Sequence, residues 1–154
     1  MKYDKDAKEL LAKFGHKIVL PVDVALNING KRVECDANEI KDGEIYDIGE
    51  KTIKIYDEII YTEEMIVANG PACVYEQPEF AKGTQRILSA MAESKAFCLV
   101  GGGHSITAIE KFKIHKERLG YVSLSGKALI EFLCGEELPG LKLLQENKEL
   151  FSSQ

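Results

Sequence analysis

From residue 47 onward the chain alternates short apolar runs with amphipathic segments, joined by short connections. Thr52 to Tyr61 sets Ile53, Tyr56, Ile59 and Ile60 at helical spacing, and Met65 to Ala68 is apolar throughout. Pro78 to Glu93 predicts a helix with Phe80, Thr84, Ile87, Leu88 and Met91 on one face. Ala96–Val100, Ser105–Phe112, Gly120–Ser123 and Lys127–Leu133 then repeat strand, helix, strand, helix, with Gly135 closing the last. Elements in this order imply an α/β domain: a mostly parallel, doubly wound, Rossmann-like sheet with flanking helices.

The first third of the chain reads differently. Ala7, Leu10, Leu11 and Phe14 line one face of a helix that Gly15 closes. Lys17 to Leu26 is predicted as a strand, and Asn29-Gly30 is a strong turn signal. Lys31–Cys35 and Ile45–Ile48 are short strands, expected in a small ribbon outside the main sheet. A short helix and a frayed end are expected from Leu141 onward.

Within the regular part, the apolar run that begins at Ala96 stops at three glycines, Gly101-Gly102-Gly103, followed by His104, Ser105 and an apolar-periodic segment. This reads as a buried strand, a tight turn and a helix start. Glycine lets the backbone approach a ligand with no Cβ in the way. The first N–H groups of a helix have no partner inside it and carry partial positive charge, which suits an anion such as a phosphate. Taken alone, the triplet fits a tight packing turn equally well.

The chain has 154 residues, 45% of them hydrophobic and 29% charged, enough for one domain with a real core. A net charge of −5 and a pI near 5.3 argue against a nucleic-acid surface. No apolar run is long enough to span a bilayer, and Met1 to Asp6 leads into no signal-peptide core, so no membrane association and a cytoplasmic location are expected. Cys35, Cys73, Cys98 and Cys134 are scattered with no Cys-x-x-Cys pair, which argues against a zinc cluster or disulfide framework; no metal site is predicted from the residues. Cys98 reads as a core residue, and Cys73, in a loop, has no activating constellation around it.

In open α/β sheets ligands sit beyond the carboxyl ends of the strands. Four loops qualify: Asp47–Thr52, Asn69–Glu76, Gly101–Ser105 and Ser123–Lys127. They are expected to converge on one composite site.

These loops, in this order, resemble the C-terminal half of phosphoglycerate kinase. The matching pieces are Leu20-Pro21-Val22-Asp23, Asp47-Ile48-Gly49-x-Lys51-Thr52, Asn69-Gly70-Pro71-x-x-Val74-Tyr75-Glu76, Phe80-Ala81-Lys82-Gly83-Thr84, Gly101-Gly102-Gly103-x-Ser105 and Glu137-Leu138-Pro139-Gly140. Six motifs in register make the likeness specific, and His104 after the glycines resembles the archaeal branch. The resemblance implies phosphoryl transfer between 1,3-bisphosphoglycerate and ADP, with Mg²⁺ accompanying ADP or ATP. It implies that Glu76 accepts from the ribose hydroxyls and that Asn69 and Pro71 lie along the nucleotide. Gly102, Gly103 and the N–H groups of His104 and Ser105 would face the transferring phosphoryl group.

Set against that family, the chain lacks the phosphoglycerate-binding domain, the early nucleotide-domain strands and the lysines that meet the phosphates. The resemblance therefore implies a fragment, an incomplete domain whose partner is the missing N-terminal half or an equivalent chain. Alone it is expected to have negligible kinase activity. Two positions depart from the family. His104 stands where an Asp that helps hold Mg²⁺ is usual, and imidazole is a poor Mg²⁺ ligand. Lys127 stands in a loop that is commonly all glycine. Other readings stay open: a non-catalytic nucleotide- or partner-binding remnant, or a chain that does not fold alone. Glu76 reads equally as a helix-start carboxylate, His104 as a solvated side chain, and Lys51-Thr52 as a simple helix start.

Overall fold

The computed structural model describes residues 4–151. Its strands form two three-stranded sheets rather than one. The first is antiparallel in the order β2-β1-β3, from β1 (Asp23–Ile28), β2 (Lys31–Asp36) and β3 (Glu44–Ile48). The second is parallel in the order β4-β5-β6, from β4 (Met65–Asn69), β5 (Phe97–Gly101) and β6 (Tyr121–Ser123). The helices are α1 (Asp4–Phe14), α2 (Glu50–Thr62), α3 (Lys82–Glu93), α4 (Gly103–Lys111), α5 (Gly126–Leu133) and α6 (Pro139–Phe151).

The ribbon outside the main sheet is present, with β1 as its third and central strand. Asn29 and Gly30 both have positive φ, as a two-residue hairpin turn requires, and they set the Ile28–Lys31 pair. The predicted strand over Lys17–Leu26 begins only at Asp23, however. Residues 17–20 are exposed and Gly15–Lys17 is a 3₁₀ turn. Apolar content alone does not make a strand without a neighbour to pair with, and Pro21 has no N–H to offer. The apolar stripe of α1 likewise forms a helix but has no buried residue.

Side chains alternate across the parallel sheet. Cys98 and Val100 are fully buried in the main core with Leu88 and Met91 of α3 and Ala108 and Ile109 of α4. Leu129 of α5 reaches to 2.9 Å from where a Cβ on Gly101 would stand, on the alternate face. Helices thus lie on both faces, the doubly wound arrangement. Away from α5 that second face is bare among the described residues: Met65 and its register partner Phe97, and Val67 and Tyr121 on either side of Leu99, are 55, 51, 45 and 58% exposed.

Two helix starts are capped from a distance. Asp23, buried in β1, accepts from Lys51 N–H at 3.0 Å and Thr52 N–H at 2.8 Å in the first turn of α2. Asp47, buried in β3, accepts from Gly83 N–H of α3 at 3.0 Å and from Arg32 Nη1 at 2.7 Å. A Cβ at Gly83 would run into the Asp47 carboxylate, which explains the glycine in Phe80-Ala81-Lys82-Gly83-Thr84. The predicted continuous helix from Pro78 is accordingly split into a 3₁₀ turn, Pro78–Phe80, and α3 from Lys82, where the Asp47 cap acts. At the C-terminal end α6 starts at Pro139, before the expected Leu141, with proline in the first helical position.

Candidate functional site

Three of the four expected loops leave from one row. Asn69, Gly101 and Ser123 are register partners at the carboxyl ends of β4, β5 and β6. Their loops are also laced together: Gly70 N–H donates to Gly101 O at 3.4 Å and Gly102 N–H to Ser123 O at 3.3 Å. Asp47–Thr52 differs from the expectation, because it leaves β3 of the antiparallel sheet and its polar groups are engaged there. Burial opposes the Asp23 charge, but hydrogen bonds from the Thr52 hydroxyl and the amides of Lys51 and Thr52 more than offset it, leaving the carboxyl below its ordinary value. Burial likewise opposes the Arg32 charge and is outweighed by bonds to Asp47 and Glu34. Asp23, Asp47 and Arg32 therefore do structural work.

At the row, Gly102 has φ +98° and ψ +143°, a conformation essentially confined to glycine. It is the N-cap of α4 and supplies no side-chain cap. Among the described residues no hydrogen bond uses the N–H of Gly103, His104 or Ser105; the first amide of α4 with an acceptor is that of Ile106, to Gly102 O at 3.2 Å. The starts of α2 and α3 are capped by carboxylates, whereas this one is open, with Gly103 and His104 exposed. Three donors and the positive end of the helix dipole are thus left without a protein partner at this turn.

Glu76 comes to the same place from the β4 loop. Its Oε1 lies 4.0 Å from His104 Nδ1, and its side chain is 56% exposed. Ser105 is buried and its hydroxyl is consumed by the protein, accepting from Gly70 N–H at 3.1 Å and donating to Gly101 O at 2.9 Å. The N–H of Ser105, by contrast, has no acceptor among the described residues. Asn69 Oδ1 stands against the glycines: a Cβ on Gly126 would run into it and would come within 3.1 Å of Gly102 Cα. That close approach accounts for Gly126. Pro71 is half-buried and lines a cavity of about 160 Å³ with Asn69, Thr84, Leu88 and Ser105.

Lys127 turns along its own helix to Glu131, at 3.4 Å, and α5 is capped by Ser125 Oγ, which accepts from Ala128 N–H at 3.3 Å. The second helix start in the row is therefore partly closed where that of α4 is open. No group of three or more His, Cys, Asp or Glu able to hold a metal occurs among the described residues. Cys73 is half-buried with its Sγ 2.8 Å from Thr84 Oγ1, and burial pushes its thiol up to about 11, so it is no nucleophile at neutral pH. Sequence reasoning missed one residue at this site. Lys111, at the far end of α4, donates to the carbonyl oxygens of Tyr75 and Glu76 at 2.8 and 3.0 Å. No local pattern marks it, since its partners are 35 and 36 residues away.

A family model described as phosphoglycerate kinase matches residues 2–136. The phosphoglycerate kinase of Methanothermus fervidus is 47% identical over 148 residues, covering 96% of this chain and 36% of that protein. That of Methanococcus maripaludis is 46% identical, covering 93% and 35%. Among solved structures, phosphoglycerate kinase from Pyrococcus horikoshii superimposes with a TM-score of 0.88 at 42% identity, over 96% of this chain and 37% of that one. The chain thus spans little more than a third of the length of the curated relatives it matches. The motifs quoted from the sequence, the strand-end row they form and the relatives all agree: the chain belongs to the phosphoglycerate kinase family.

Proposed function

We propose that this chain holds the nucleotide in phosphoryl transfer between 1,3-bisphosphoglycerate and ADP, as part of a cytoplasmic phosphoglycerate kinase. The open start of α4 carries the reading. Gly103, His104 and Ser105 offer three unpartnered N–H donors beside the Glu76 carboxylate. That set suits a nucleoside diphosphate: backbone donors and the helix dipole for phosphate oxygens, a carboxylate for the two ribose hydroxyls. Asn69 and Pro71 would border the nucleotide between these ends. In the transfer, the acyl-phosphate P–O bond of 1,3-bisphosphoglycerate breaks as the ADP β-phosphate oxygen bonds to that phosphorus, giving ATP and 3-phosphoglycerate. The amides of Gly103, His104 and Ser105 would supply fixed positive dipoles to the equatorial oxygens as charge spreads over them, whereas the Gly102 N–H, expected from the sequence to share this role, is taken by Ser123 O.

The described residues do not make a magnesium site. His104 replaces a carboxylate, and imidazole is a poor match for a cation that prefers oxygen. In this reading any Mg²⁺ arrives on the phosphate oxygens of ADP or ATP.

The partner is the remainder of the enzyme, in one chain or two. All-parallel sheets are normally covered on both faces, and the bare face of Met65, Val67, Phe97 and Tyr121 is of the kind such a partner covers. A second reading, a non-catalytic nucleotide- or partner-binding remnant, is favoured by the engagement of Lys127 with Glu131 and by His104.

Calorimetric titration of MgADP tests the nucleotide site, and a complementation assay separates the two readings. Weak saturable binding, with Kd on the order of 0.1–1 mM, is expected, and absence of saturation refutes the nucleotide reading. A coupled assay of the chain alone should give no turnover. Adding the missing N-terminal portion of a relative should restore it, and failure to do so favours the remnant.

A further inference from the structure

The segment from Gly70 to Glu76 is fastened to α4 at both of its ends. At the front, Gly70 N–H donates to Ser105 Oγ at 3.1 Å. At the back, Lys111 Nζ donates to the Tyr75 and Glu76 carbonyls at 2.8 and 3.0 Å. Ser105 lies in the first turn of α4 and Lys111 is its last residue, separated by about 9 Å of helix at the usual rise. The anchorage around Lys111 is well built. Tyr75 is 2% exposed and packs edge-on against Phe112, with ring centres 6.3 Å apart, and the Lys111 ammonium stands 5.8 Å from the Tyr75 ring centre. Holding a long lysine on two main-chain oxygens costs rotamer entropy, and charge-assisted hydrogen bonds offset it.

We infer that Lys111 is a positioning residue for the nucleotide site, an assignment that rests on the reading above. It fixes the backbone from which the Glu76 carboxylate projects. One helix thus carries both the open N–H donors of its first turn and the lysine that fixes the Glu76 backbone, and so sets the spacing between the two. A ligand with a vicinal diol at one end and a diphosphate at the other would be measured by this spacing. Lys111 acts through Glu76, so its removal should affect recognition of the diol and leave recognition of the diphosphate intact.

The test compares the unsubstituted chain with Lys111→Met and Lys111→Arg, titrating MgADP and its 2′,3′-dideoxy analogue by calorimetry. Lys111→Met should weaken MgADP roughly fivefold to tenfold, with the dideoxy nucleotide changed by less than about twofold. Lys111→Arg, which can also reach two carbonyls, should recover most of the loss. If the Met variant does not fold, Lys111→Gln carries the same comparison. Equal losses for both nucleotides, or no loss, overturn the assignment while leaving nucleotide binding in place. If the unsubstituted chain binds neither nucleotide, the nucleotide reading falls and the assignment falls with it.

Discussion

Gly102 and Gly103 stand side by side in the triglycine turn, yet substituting each by alanine should have opposite consequences. At Gly102 the backbone has φ +98°, and an added Cβ would meet Asn69 Oδ1 at 3.4 Å, an ordinary contact. The cost of Gly102→Ala is therefore conformational, about 1–3 kcal/mol for a non-glycine residue in that region. A gain of about 0.4–1 kcal/mol from the stiffer unfolded chain offsets part of it. A net loss of about 1–2 kcal/mol, at an m-value of about 2 kcal/mol/M, lowers the urea midpoint by roughly 0.5–1 M. At Gly103 no atom lies within 4 Å of an added Cβ and φ is not positive. Gly103→Ala should leave the midpoint unchanged or raise it slightly, because alanine is the better helix former. Its methyl, however, would stand in the open space beside the free donors and should weaken MgADP binding about tenfold. Urea unfolding followed by circular dichroism, with nucleotide titration of the same samples, reads both effects. An unchanged midpoint for Gly102→Ala refutes the strained turn, and unchanged affinity for Gly103→Ala refutes the phosphate seat.

Asp47→Asn leaves the Arg32 guanidinium, 11% exposed, with Glu34 as its remaining counter-charge and weakens the cap on α3, and should destabilise the chain by about 1–3 kcal/mol, visible as a fall in Tm. The Asp23 carboxyl lies below its ordinary value of 3.8 in the folded chain, so the stability it contributes is present above that pH and is lost as pH falls toward the folded value. Asp23→Asn should accordingly flatten the acid limb of stability against pH below about 4, measured by urea unfolding at each pH; an unaltered limb refutes the assignment. With its thiol near 11, Cys73 has roughly one thiolate in a thousand molecules at pH 8. Iodoacetamide followed by peptide mass spectrometry should label exposed Cys134 well before Cys73, and the reverse order would contradict the buried thiol.

The parallel sheet was legible because each of its elements carries a local signature. Leu88 and Met91 at helical spacing, the unbroken run at Cys98–Val100 and the break at Gly101–Gly103 are all readable from neighbours in sequence, and so is the Asn29-Gly30 hairpin. The candidate site was legible in part. Gly102 and Gly103 announce a close backbone approach, Asn69 falls at a strand end where ligands gather, and Glu76 lies in the loop that follows it. The errors share one cause. Lys17–Leu20 has strand composition but nothing to pair with, and Pro78–Phe80 has helical periodicity but is cut off where Asp47 caps α3 at Gly83. The Asp47–Thr52 loop has the look of a ligand loop, yet its carboxylate is taken by Arg32. Each outcome depends on a partner tens of residues away.

The sequence by itself determined the alternation of elements, the place of the open turn and the family, because periodicity, glycine and motif order are properties of adjacent residues. Only the tertiary structure decided which helix starts are closed and which is left open. Asp23 and Asp47 are brought by folding onto α2 and α3, while among the described residues no side chain accepts from the first amides of α4, which are left without a protein partner. The same long-range assembly brought Lys111 onto the carbonyls of Tyr75 and Glu76, a contact that no spacing along the chain could have announced.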